Sequence, residues 1–92
     1  MATEREKVIW KWPLPTENWP TIVIEAPANA EWLTVQLQGE MPTLWALVDP
    51  VLETEQYRFT VCGTEHAVPV DAGKYLGTVQ IGWNVWHVFC SL

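Results

Sequence analysis

The chain has 92 residues, 5 Lys+Arg against 11 Asp+Glu for a net charge of −6, and 49% hydrophobic residues. That apolar share excludes a disordered polymer. The acidic balance excludes bulk binding to duplex nucleic acid or anionic membranes, both of which need Lys and Arg against phosphate. No apolar run approaches the ~20 residues of a membrane span. The charged start, Met1-Ala2-Thr3-Glu4-Arg5-Glu6-Lys7, has no apolar segment behind it, so no secretory signal is read there. The expectation is one domain, residues 1–92, in the cytoplasm.

Period-two alternation dominates, and Pro and Gly cut the chain into short pieces. A first strand is expected at Lys7–Trp12, with Val8, Trp10 and Trp12 sharing the core face. Pro13, Pro15 and Pro20 then force a non-helical connection. A second strand runs from Thr21 to Glu25, and Ala26–Ala30 forms a turn. In the third, Trp32–Gln38, Leu33, Val35 and Leu37 alternate with Thr34, Gln36 and Gln38. That parity places Trp32 on the polar face. Thr43–Val48 is apolar on both faces and reads as a central strand covered on both sides. Pro50–Glu55 has room for one helical turn. Tyr57, Phe59 and Val61 form the inner face of a fifth strand. Gly63–Gly73 is the longest loop. Tyr75–Ile81 and Val85–Cys90 are strands six and seven, joined by a tight reversal at Gly82-Trp83-Asn84. The fold class is therefore all-β: a small antiparallel sandwich or barrel-like double sheet of about seven short strands. Cys62 and Cys90 are read as free thiols, as intracellular cysteines normally are.

Several blocks resemble a known family. Leu44-Trp45-Ala46-Leu47-Val48-Asp49-Pro50, Tyr57-Arg58-Phe59, Gly63-Thr64-Glu65-His66, Tyr75-Leu76-Gly77-Thr78 and Trp86-His87-Val88-Phe89 are similar to small domain-of-unknown-function proteins encoded mostly by phages and prophages. The opening Lys7–Leu14 is similar to theirs too. The resemblance implies expression inside a bacterium and no known activity. The family's loop usually reads Gly-Thr-Gly-His, whereas Glu65 stands third here. The tryptophan load also exceeds the family's.

Seven tryptophans exceed what a thin core needs. Trp19, Trp32 and Trp83 are the candidates for exposure, and Trp32 and Trp83 are expected to meet a partner or a second copy. Thr64 and His66 at the mouth of the long loop, with Arg58 and Lys74 as neighbouring cations, could hold an anion. His87 shares parity with Val85 and Phe89 and is expected to point inward or into a groove. No nucleophile elbow, phosphate loop or zinc spacing occurs, so no catalysis, metal or cofactor is expected. The reading is a non-catalytic phage-type accessory protein that neutralises a component of host defence. It would sequester a small nucleotide-type, anionic signal with Trp45, Arg58, Thr64, His66, Lys74 and His87, at a subunit interface of a homo-oligomer. The alternatives are direct inhibition of a host defence protein through the acidic surface, and a structural role in the virion.

Overall fold

The computed structural model describes residues 5–92. The reading of the first four residues as free of a secretory signal lies outside the described part. Seven strands form: β1 (Val8–Pro13), β2 (Thr21–Pro27), β3 (Glu31–Gln38), β4 (Met41–Val48), β5 (Thr54–Gly63), β6 (Lys74–Ile81) and β7 (Asn84–Ser91). They make two antiparallel sheets, ordered β1-β4-β3 and β2-β5-β7-β6. The all-β double sheet expected from the alternation is what forms. No described helix is long and apolar enough to cross a membrane.

The core lies between the sheets. Leu44 and Val35 come from the three-stranded sheet. Ile24, Ala26, Tyr57, Phe59, Val61, Val79 and Val88 come from the four-stranded one, and Leu14 closes the gap from the first connection. Leu14 donates its N–H to the Pro42 carbonyl at 2.8 Å, so the chain leaves β1 still laced to β4. β4 is the middle strand of its sheet. Leu44, Ala46 and Val48 are fully buried, whereas Trp45 and Leu47 on its outer face are only half-buried.

Pro50–Glu55, which has room for one helical turn, forms none. Asp49 makes a turn instead, its carbonyl accepting from Leu52 N–H and its carboxylate from Val51 N–H. A short 3-10 turn appears at Thr16–Asn18, between prolines that cannot continue a strand ladder. Asp49 also receives Arg5 Nε and Nη2 at 2.9 and 2.6 Å. The hydrogen bond from Arg5 holds the Asp49 carboxyl below the usual carboxylate range.

Strand β3 departs from simple alternation. The register with β4 shifts between Trp32 and Thr34, so Leu33 is the extra residue of a β-bulge. The slip puts Trp32 on the same side as Val35. Its indole lies 5.0 Å from Trp12, 5.3 Å from Tyr57 and 4.7 Å from Phe59, centroid to centroid. The expectation of Trp32 on the polar face is thus corrected: one inserted residue inverts the parity of everything before it, although the ring stays partly exposed along a cleft with Lys74 and Tyr75. Leu33 takes the exposed place, at 42% accessibility.

Candidate functional site

The six residues expected to form one pocket do not converge. Trp45 lies on the outer face of the three-stranded sheet, between Lys11 of β1 and Thr34 of β3. Arg58 lies on the outer face of the four-stranded sheet. It is taken up by Asp71, reaching its carboxylate at 3.2 Å and its carbonyl at 2.8 Å. Lys74 opens β6 opposite Cys90, beside a second cleft of about 610 Å³ lined also by Trp32, Tyr57, Tyr75 and Leu76. Of the six, Thr64 bonds His87, and His66 stands beside Thr64 in the same turn.

His87 does share a face with Val85 and Phe89, but that face is the outer one. The core side of β7 carries Trp86, Val88 and Cys90. Of the two orientations expected for His87, inward or into a groove, the inward one is therefore corrected. The identity of the core face is set by which residues pair with Phe59 and Val61, and strand parity alone leaves it open. Thr64 Oγ1 lies 2.9 Å from His87 Nε2, while Tyr75 Oη and Thr78 Oγ1 lie 3.1 and 3.3 Å from Nδ1. Tyr75 and Thr78 also bond each other. Both ring nitrogens are thus held by hydroxyls, and the imidazole ties the loop at Thr64 to β7 and β6.

The turn Gly63-Thr64-Glu65-His66 closes with His66 N–H on the Gly63 carbonyl at 3.1 Å. Glu65, its third residue, has φ +72°, a conformation that normally selects glycine. Glu65→Gly should therefore stabilise the fold. Left-handed backbone costs a side chain about 1–2 kcal/mol, and the extra freedom of unfolded glycine returns about 0.5–1 kcal/mol. At mid-range values the net gain is about 0.75 kcal/mol, roughly 3–6 °C in Tm. A melting curve no higher than wild type would contradict it.

His66 leads to the larger cleft, of about 650 Å³, at one end of the sandwich. Its walls are Trp19, Trp86, His66 and Pro69, with Thr60 and Asn84 among its polar groups. Trp19 meets Trp86 edge-to-face at 5.1 Å. Gly63 makes this possible: a Cβ there would stand 2.9 Å from His66 Nδ1 and 3.2 Å from the Trp86 ring. Among the described residues, no lysine or arginine lines the cleft. Trp19 Nε1 is buried with no hydrogen-bond acceptor.

Sequence reasoning singled out His66 and missed Trp86 and Asn84. It placed Trp19 among the candidates for exposure, where the structure packs it against the core. The cleft residues come from the first connection, the end of β5, the long loop and the β6–β7 hairpin, so no local spacing unites them. Trp83 is 97% exposed at the hairpin tip, as the tight reversal implied. Cys62 and Cys90 are free and point to opposite faces of one sheet. Burial pushes the Cys90 thiol up to about 11.

The family described as "Domain of unknown function (DUF7352)" matches residues 5–91. The chain belongs to the DUF7352 family. No curated protein and no solved structure matches it. The family assignment of this DUF7352 chain carries no activity, so its function has to be argued from the cleft and the exposed surfaces.

Proposed function

We propose that the protein is a non-catalytic binder of a small, planar, largely uncharged heteroaromatic group, such as the base of a nucleotide-type signal. The observation that carries this is the cleft itself: two indoles and an imidazole form its walls, with threonine and asparagine at hand and no lysine or arginine among its described lining. Aromatic walls with a few polar groups suit stacking plus orientation of a base. Arg58 is already engaged by Asp71, and Lys74 lies beside a different cleft, so a phosphate would remain at the rim. Both nitrogens of His87 are committed to hydroxyls, which favours a fastening role over proton transfer.

In a phage-infected bacterium, the setting implied by the sequence blocks, such a binder would act by removing the signal from the cytoplasm. A second reading rests on Trp83. A fully exposed indole is a typical binding anchor, and on an acidic protein it suits direct capture of a host protein.

Calorimetric titration with adenosine, guanosine and their monophosphates tests the first reading. A nucleoside should bind at least as tightly as its monophosphate. Trp86→Ala should weaken it at least tenfold, as expected for loss of a stacking wall worth about 1–3 kcal/mol. Asn84→Ala, which disturbs no core packing, should weaken it without changing Tm. Absence of heat with every base, or binding that needs the phosphate, would overturn the reading.

A further inference from the structure

We propose that β1 is a homodimerisation edge, pairing antiparallel with β1 of a second copy to join the two three-stranded sheets into one. The argument starts from backbone hydrogen bonding. Leu14 donates to the carbonyl of Pro42, its direct opposite in the β1–β4 register, so this is a hydrogen-bonded pair. Such pairs alternate along an antiparallel ladder. Trp12, Trp10 and Val8 therefore also direct their backbone groups to β4. The N–H and C=O groups of Ile9 and Lys11 point the other way, to an edge that no described strand covers.

The remaining edges are protected. β3 and β6 are both bulged and face each other, with Val35 against Gly77. β2 is flanked by Pro20, ends in Pro27 and carries Glu25. Bulges, prolines and charges are the usual devices against edge pairing. β1 has a regular register and exposes Val8, Ile9 and Trp10 at 40, 60 and 41%. Its one internal charge, Lys11, reaches over the outer face to Gln38 Oε1 at 2.9 Å, away from the edge. Arg5 on Asp49 anchors the chain just ahead of it.

Self-complementarity of the strand selects a second copy as the occupant, and charge selects the register. Only odd-numbered residues present free backbone groups, so a two-fold axis allows few alignments. Centring the axis on Ile9 sets Lys7 against Lys11 of the second copy, and centring it on Lys11 sets two lysines directly opposite. Like charges directly opposite are destabilising. Centring it on Trp10 leaves no lysine directly opposite another: Ile9 and Lys11 exchange both backbone bonds across the axis. Lys7 N–H then meets the Pro13 carbonyl, and Pro13, having no N–H, leaves no donor unmatched. Trp10 meets its own copy as a non-hydrogen-bonded pair, where side chains approach most closely. That extends the indole row of Trp10, Trp12 and Trp32, spaced 6.2 and 5.0 Å. The strand is self-complementary, as an isologous interface requires.

Light scattering should give twice the chain mass of 10.5 kDa. Ile9→Pro removes an N–H that the monomer fold does not use, and should give single-chain mass with an unchanged far-UV spectrum. Under mild oxidation, Trp10→Cys should form a covalent dimer and Ile9→Cys should not. A wild-type protein of single-chain mass at its solubility limit would overturn the proposal. So would a dimer that survives Ile9→Pro, or cross-linking through Ile9→Cys in preference to Trp10→Cys. Ligand binding in the cleft, at a different place in the fold, is read separately by titration, so either idea can fail alone.

Discussion

Replacing Trp32 with alanine should cost about 3 kcal/mol, the low end of the range for truncating a core aromatic, because the ring is partly buried. A domain of this length has a total stability of roughly 5–14 kcal/mol. Trp32→Ala should therefore remove a large share of that margin and lower the urea midpoint in proportion. The ring sits among Trp12, Tyr57 and Phe59, linking both sheets. Its truncation removes contacts from three aromatic neighbours that cannot all collapse into the gap. Leu33→Ala, one residue on, should cost less than about 1 kcal/mol, because that residue is already 42% exposed. Trp32→Phe should retain most of the stability. It keeps an aromatic ring in place and removes an indole N–H that is buried without an acceptor, a group whose burial costs about 1–3 kcal/mol. Urea denaturation of the three variants checks the order. A register without the bulge predicts the reverse ranking, with Leu33→Ala the most damaging.

That pair of neighbours also shows where the sequence is readable. Tyr57, Phe59 and Val61 alternate cleanly, and all are buried. Gly82-Trp83-Asn84 is short, carries Gly and Asn, and turns as expected. These features are local, set by side-chain period and turn chemistry. Trp32 failed because a bulge has no reliable composition, and one extra residue reverses parity. His87 failed for a related reason: its strand alternates correctly, but both faces of β7 carry large residues, and only the partner sheet determines which is inside. The cleft was the least legible. Its walls come from four separate segments brought together by strand order, and strand order is not written in any one of them. His66 was found because a Gly-Thr-x-His turn is a local signal; Trp86 looked like ordinary core.

Strand order also explains why the long loop matters. Thr60 and Cys62 sit on the outer face of β5, yet both are buried. The loop after Gly63 returns across that face. Arg58 grips Asp71, Ala72 is buried, and Ala67 and Pro69 line the cleft with Cys62. Gly73 is the point at which this cover joins β6. Its φ is +95°, and an added Cβ would collide with the Cys90 carbonyl oxygen. It would also stand 2.8 Å from both the Cys90 carbonyl carbon and Ser91 Cβ. These obstacles are largely backbone of the paired strand β7, which cannot rotate aside as a side chain could. Gly73→Ala therefore has to move the start of β6 off β7, in addition to bearing the cost of left-handed backbone, about 1–2 kcal/mol.

The expected loss is about 3 kcal/mol or more, at the severe end for a single substitution. Gly82→Ala is the control. Its φ is +58° but nothing lies within 4 Å of the added carbon, so only the backbone cost remains. Thermal melting should separate the two. Alkylation adds a local reading, since thiol reactivity depends on access. In Gly73→Ala the cover should lift and Cys62 should react faster with iodoacetamide under native conditions, whereas in Gly82→Ala it should stay protected. Equal melting losses for both variants, or an unchanged Cys62 rate in Gly73→Ala, would mean that the loop is held by Arg58 and Ala72 alone and that the contact at Cys90 contributes nothing.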